Sequence, residues 1–210
     1  GVQTCALPIS AGWAQVTPTG GSNTPGVAAV LVGRSGNAAV SESAEAGVAT
    51  GTSFRLYAES FADFANKQGG AFQTGVALAN PGTAAVTVTL ELRNSDGAVM
   101  ATGTVSVPAK GQAGVLLNDV AALKPASPFN AGTLWVSAPT ATPVHAAGLR
   151  GRYSGRGSDL MLTAFPAVDE NAVTPPELLF PHVVDGAGYS TQFALQGRSE
   201  EHTSELQSPY

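Results

Sequence analysis

Between residues 84 and 93 the chain alternates strictly: Val86, Val88, Leu90 and Leu92 fall on one side of a two-residue period and Thr87, Thr89, Glu91 and Arg93 on the other. Successive side chains of a strand point to opposite faces, so this segment predicts a strand with one buried and one wet face. Asn94-Ser95-Asp96-Gly97 follows, with a Gly able to take positive φ, and residues 99–107 return as the second arm of a hairpin. Short runs of the same kind, bounded by Gly, Pro and Asn, predict further strands near 54–60, 72–79, 112–117, 132–137, 144–153 and 160–165. Only residues 119–123 read as a helical turn, with Asn118 as cap and Pro125 as stop. The apolar phase of these strands predicts a core of Val86, Val88, Leu90, Leu92, Val105, Val107, Val115, Leu117, Leu134, Val136, Leu149 and Leu162, with Thr87 and Thr89 outside.

The chain also matches itself. Residues 11–36, from Ala11-Gly12-Trp13 through Thr24-Pro25-Gly26-Val27-Ala28-Ala29, match residues 131–155, from Ala131-Gly132-Thr133 through Thr142-Pro143-Val144-His145-Ala146-Ala147. Leu56-Tyr57-Ala58 and Thr74-Gly75-Val76-Ala77-Leu78 match Leu179-Phe180-Pro181 and Thr191-Gln192-Phe193-Ala194-Leu195. Both offsets are roughly 120 residues, about the size of an immunoglobulin-like sandwich. The expected fold is therefore all-β: an immunoglobulin-like antiparallel β-sandwich, one complete repeat at 53–165 flanked by two partial repeats. Residues 10–52 would hold the C-terminal half of one repeat plus a linker, 166–177 a Pro-rich acidic linker, and 178–197 the first strands of a further repeat. The partial units are expected to bring strands near 13–16, 27–32, 38–41, 178–183 and 189–195.

The two ends read differently. Residues 198–208, RSEEHTSELQS, back-translate to a DNA string whose reverse complement, in a shifted frame, encodes GVQTCALPI, residues 1–9. That string resembles a widely used short-read sequencing adapter, which implies that 1–9 and 198–210 are adapter-encoded and non-native. Cys5, the single cysteine, lies in the first of these segments, so neither a disulfide framework nor a thiol nucleophile is expected of the rest. The 10 Lys and Arg against 15 Asp and Glu give a formal net charge of −5, and the end segments take Arg198, Glu200, Glu201 and Glu205 out of that count. A weakly acidic chain is a poor ligand for nucleic acid, which demands clustered cations. No apolar run approaches the roughly 20 residues of a membrane span, so no insertion in a bilayer is expected.

The segments FRLYAES, QTGVALANPG, VTVTLELRNSDG, SVPAKGQAGVLLND, GLRGRYSGRG and LLFPHVVDGAGYSTQFAL resemble, in that order, the tandem β-sandwich repeats of large uncharacterised secreted proteins of environmental bacteria. The resemblance implies a secreted or cell-surface setting and a modular protein whose partners are neighbouring repeats of the same chain. It carries over no activity and no catalytic residues.

Motifs for hydrolysis, phosphate binding or dinucleotide binding are missing: there is no GxSxG, HExxH, P-loop or GxGxxG. His145 and His182 sit at non-equivalent repeat positions and read as structural or solvent-facing. Glu59 with Asp63, and Asp169 with Glu170, read as solvated surface charge in place of a glycosidase pair. Asn94, Asp96 and the distant Asp119 fall short of a calcium loop. Arg150, Arg152 and Arg156 form the one basic cluster; Arg150 and Arg152 share a strand face opposite Leu149, Gly151 and Tyr153, with Arg156 in the turn beyond. They are either an open sheet face paired with acids or an anion or acidic-glycan contact. Trp135, with Thr133 and Ser137 on its face, is the aromatic candidate for sugar stacking, against the alternative of packing on a neighbour. No cofactor and no metal is expected. The function read from the sequence is a non-catalytic structural, spacer or adhesive module. The alternatives are a carbohydrate-binding accessory module and a non-catalytic fragment of a larger secreted hydrolase. A glycan or other cell-surface polymer is the external partner either binding reading would take. If the ends are adapter-encoded, deleting 1–9 and 198–210 leaves the urea midpoint of unfolding in place, with a stability change within about 0.5 kcal/mol; a larger loss would mean that they are part of the fold.

Overall fold

The computed structural model describes residues 12–16, 26–124, 129–156, 159–173, 176–181, 183–188, 191 and 193. Its elements run β1 (Ala28–Ser35), β2 (Ala38–Ala46), β3 (Ser53–Phe61), β4 (Phe72–Asn80), β5 (Val86–Asn94), β6 (Val99–Val107), β7 (Gly111–Leu116), a 3₁₀ turn at Leu117–Asp119, β8 (Phe129–Ser137), β9 (His145–Tyr153), β10 (Leu160–Pro166) and β11 (Val168–Asp169). The chain divides into two compact units between Asp169 and Glu170. All of these elements belong to the first. In the second, the Val184 amide donates to Thr191 Oγ1 and that hydroxyl donates to the Val184 carbonyl, while Phe180 and Phe193 meet edge to face at 5.0 Å.

The first unit holds a two-stranded sheet, β1 with β2, and an all-β antiparallel sandwich made by one larger sheet curling over itself. One layer runs β10-β9-β4-β7 and the other β3-β8-β5-β6, and they are continuous because β3 pairs with β4 at Ser60 and Phe61. Pairing of β4 with β7, and of β8 with β5 and β5 with β6, is that of an immunoglobulin-like domain; β3 flanks β8 where the last strand of such a domain runs, and β9 flanks β4 where the first does. Most strands begin and end within about two residues of the positions that alternation predicted; β8 starts three residues earlier, and β1 and β2 run three and five residues past their expected ends. At the β5/β6 hairpin Gly97 takes φ +82, and the Asn94 side-chain oxygen accepts from the amides of Asp96 and Ala98 at 3.1 and 2.9 Å, closing the turn.

The core lies between the layers: Phe54, Leu56, Val76, Leu78, Val86, Val88, Leu90, Leu92, Val107, Leu117, Leu134 and Val136 are buried, while Thr87 faces solvent. Burial of this kind stabilises by roughly 2 kcal/mol for each large aliphatic side chain. Around Val76, Leu90, Val115, Val120 and Leu134 the layers leave no room for a water molecule. Val115 and Leu149 are only half-buried and Leu162 is 42% exposed. The reason is the phase of β9. Ala146, Gly148 and Arg150 pair beside Leu78, Val76 and Thr74 and so share the inner face, which sends Leu149 to the outer one. Leu162 pairs with Gly151 on that same outer face of edge strand β10. The inner face is lined with small residues because Phe165 lies across Gly148, where an added Cβ would come within 2.5 Å of the ring.

Three local structures close the sandwich. The turn after β7 seats Val120 and Leu123 over Gly103 of β6; its first amide, Leu116, donates to Asp119 Oδ2 at 2.8 Å, so Asp119 and not Asn118 caps it. The segment between β3 and β4 folds over the outer face of the first layer, where Phe64 packs on Tyr153 with centroids 4.9 Å apart. It is held by Asp63, whose carboxylate accepts from the Asn66 amide at 3.0 Å and from its side chain at 2.7 Å. On the free edge of β10, Ser43 Oγ of β2 accepts from the Ala164 amide at 2.8 Å and donates to its carbonyl, standing in for a ladder partner. Residues 13–16, expected as a strand, are irregular, and the Trp13 indole donates to the Lys110 carbonyl at 3.1 Å. Of the strands expected at 178–183 and 189–195, the described part of the first forms no ladder, and most of the second lies outside the described residues.

Two outcomes follow. A Cβ at Gly132 would meet the Arg93 carbonyl oxygen at 2.1 Å, a backbone atom of the β5/β8 ladder that has nowhere to go. Gly132→Ala should therefore lower stability by about 2 kcal/mol in urea unfolding; a neutral result would refute this close approach. The Asn66 side chain, then its backbone amide, hold the Asp63 carboxyl below the ordinary carboxylate range. A group whose folded pKa is depressed contributes stability that is present above its unfolded pKa and is lost as pH falls through the folded value. An NMR titration should give Asp63 a midpoint below the usual carboxylate range that returns upward in Asn66→Ala.

Candidate functional site

The polar chemistry of the unit collects along the odd-numbered side chains of β3, Arg55, Tyr57 and Glu59. Strand β3 pairs with β8 from Ser53 to Ala58, slips register, pairs with it once more at Ser60–Phe129, and joins β4 through Ser60 and Phe61. Between the Ala58–Gly132 and Ser60–Phe129 pairs Glu59 stands alone against two residues of β8, Asn130 and Ala131, so the extra residue of this bulge is on β8 and Glu59 is the residue opposite it. Its carboxylate is buried, with 10% of the side chain exposed, and accepts from Arg150 Nε at 2.5 Å and from the Tyr57 hydroxyl at 3.4 Å. The sequence reading of Glu59 as solvated charge is thus corrected: opposite the β8 bulge its carboxylate is buried against Arg150, whereas Asp63 is fully exposed as expected.

Trp135 sits on the outer face of β8, cross-strand from Arg55 on one side and Glu91 on the other. The guanidinium groups of Arg55 and Arg93 each lie over its ring, 4.6 Å from the centroid. Arg93 is in turn bound by Glu91 at 2.6 Å, and the indole N–H donates to Thr133 Oγ1 at 3.2 Å. Cation–π contacts of this kind are worth about 1 kcal/mol each when half-buried. A sugar ring would have to displace them, so the arrangement spends Trp135 on the sheet itself.

Arg150 and Arg152 do share a face, cross-strand from Thr74 and Phe72, and Arg156 lies exposed in the turn after β9. The three are not equivalent. Arg150 is committed to Glu59, and its guanidinium lies 4.3 Å from the Phe72 centroid. Arg152 and Arg156 are exposed, and among the described residues neither has an ion-pair partner. Phe72 also stacks on Phe61 at 5.2 Å and 18°. Phe61 is 53% exposed, a large aromatic left in water at the end of a strand.

The remaining candidates have structural occupations. His145 begins β9 with its ring Nδ1 2.9 Å from the Val48 carbonyl. Asp119 caps the 3₁₀ turn, Asn94 closes the hairpin, and Asp169 belongs to β11. His182 lies outside the described residues. Among the described residues no three His, Cys, Asp or Glu side chains gather as a metal site, and no helix is long and apolar enough to cross a membrane. What sequence reasoning missed is the set of cross-strand partners: Arg55, Glu91 and Arg93 around Trp135, and Tyr57, Phe61 and Phe72 around Arg150. The one available signal was the odd-numbered series Arg55-Tyr57-Glu59-Phe61, polar and aromatic on a strand whose even positions are apolar.

The Glu59–Arg150 pair lies between an exposed bridge, worth under 1 kcal/mol, and a fully buried one, whose breakage costs 3–5. A double-mutant cycle of Glu59→Gln with Arg150→Gln should give a coupling of about 2 kcal/mol in chemical denaturation. Additive single changes would show that the contact carries no stability.

Comparison of the chain with protein-family models, with curated proteins and with solved structures finds no match in any of the three, so the reading of function rests on this geometry.

Proposed function

We propose that the sandwich is a non-catalytic structural, spacer or adhesive module of a secreted or surface multidomain bacterial protein, with neighbouring repeats of the same chain as its partners. The observation that supports this reading is that, among the described residues, Glu59, Trp135 and His145 are each held by other groups of the fold. Glu59 is neutralised by Arg150, Trp135 is covered by two arginines, and the His145 ring is held by a backbone carbonyl. General acid–base work needs a group with its proton free to move toward a substrate, and nucleophilic work needs an activating base within reach. The extracytoplasmic setting rests on the resemblance of the repeat segments to secreted bacterial proteins.

The test is turnover. Purified protein incubated with neutral and acidic polysaccharides and with nitrophenyl esters and glycosides should release product at the rate of buffer alone. Saturable turnover above that rate, abolished in Glu59→Gln, would contradict the reading and make Glu59 a catalytic residue.

A further inference from the structure

We infer that the open end of the first layer is a binding platform for an acidic polysaccharide, with Phe61 as the stacking surface and Arg152 as the carboxylate partner. The platform exists because β3 changes layers. After its last pair with β8 at Ser60–Phe129, β3 pairs only with β4 at Phe61, and there the face of β4, β9 and β10 that carries Phe72, Arg152 and Met161 reaches solvent. One cross-strand row occupies that face: Phe61 of β3 opposite Phe72 of β4, Phe72 opposite Arg152 of β9, and Arg152 opposite Met161 of β10. Phe61 and Arg152 are exposed, Phe72 and Met161 half-buried. Three interstrand spacings make the row about 14 Å long.

Its chemistry selects the occupant. Phe61 has one ring face stacked on Phe72 and more than half of its surface in water, which offers a flat apolar plane to the C–H face of a pyranose. Glu59, the carboxylate beside the row, is already neutralised by Arg150, so the cations left over are Arg152 in the row and Arg156 in the following turn. A guanidinium presents a planar fork that matches a carboxylate. An open aromatic face with a guanidinium on the next-but-one strand therefore fits a chain of uronic acids: one sugar ring on Phe61, whose neighbour Phe72 is covered by Arg150, and a carboxylate of the same chain on Arg152. A row this short is too small for a stable protein interface, which needs on the order of 1,000 Å², but it holds two or three sugars of a chain. Trp135 plays no part, since its ring is covered by Arg55 and Arg93.

The assignment deepens the adhesive side of the proposed function and rests on it. Oligogalacturonate and oligoalginate are titrated into the full chain by calorimetry, with an uncharged cello-oligosaccharide as comparator and the unfolding midpoint recorded for each variant. Expected are saturable binding of at least one uronate oligomer and not of the neutral one, weakening with added salt, and about tenfold weaker binding in Phe61→Ala and separately in Arg152→Gln. Trp135→Phe should bind as the unaltered chain does. Arg152→Gln changes an exposed side chain, so its unfolding midpoint stays put and its binding can be read even if Phe61→Ala perturbs the fold. Failure of both uronates, equal binding of the neutral oligomer, or binding indifferent to Arg152→Gln overturns the platform. None of these touches the non-catalytic reading, which falls only to turnover.

Discussion

One strand serves two sheets. Every buried amide and carbonyl needs a partner, and β3 satisfies its own on β8 at seven residues and on β4 at its last two, with a bulge of β8 opposite Glu59. That bulge sets the architecture. It lets one sheet curl into two layers, brings Leu56 and Ala58 against Val76 and Leu78, and leaves Glu59 facing the seam. A carboxylate there would be costly if bare. Arg150, arriving from β9 in the other layer, neutralises it, and Phe72 and Thr74 complete the surroundings: the guanidinium lies over the Phe72 ring, and Thr74 Oγ1 accepts from the Glu59 amide at 3.0 Å.

The surfaces follow from the same crossover. On the second layer the odd side chains of β3 continue into those of β8 and β5, so that Arg55, Trp135, Glu91 and Arg93 form a closed set in which each charge or ring is answered by its cross-strand neighbour. At Phe61, beyond the last pair of β3 with β8, the first layer continues alone. Phe61 and Arg152 stay exposed there, and a ring with one open face near a cation marks a place for a ligand better than a ring already sandwiched by arginines. The edges are treated in the opposite way. Ser43 covers the ladder groups of Ala164 on β10, and β11 covers Phe54 and Arg55 on β3, which blunts strands that would otherwise recruit other chains.

Strands and the hairpin were legible in the sequence because they depend on local information. Val86 to Leu92 alternates without exception, and Asn94 to Gly97 carries its own turn chemistry. The phase of β9 was not legible, because Ala146, Ala147 and Leu149 put apolar residues on both faces. Volume then suggested Leu149 as the buried one, whereas the layer spacing and Phe165 require Gly148 and Ala146 inside. Of the candidate site, the shared face of Arg150 and Arg152 was readable from strand period alone. The β8 bulge opposite Glu59 was not, since nothing local in the sequence marks it, and with it were lost the Arg150 pairing and the open row. The arginines on Trp135 come from residues 80 and 42 positions away in the chain, a relation fixed by strand order and not by spacing.

If β3 is what makes two layers one structure, the layers cannot open separately. Native-state hydrogen exchange measures this directly. The slow amides of β4 and β9 in one layer and of β5 and β8 in the other should report the same opening free energy, equal to that of global unfolding. An opening of the first layer at distinctly lower free energy, with β5 and β8 still protected, would contradict the account and reduce the crossover to a hinge between two independent sheets.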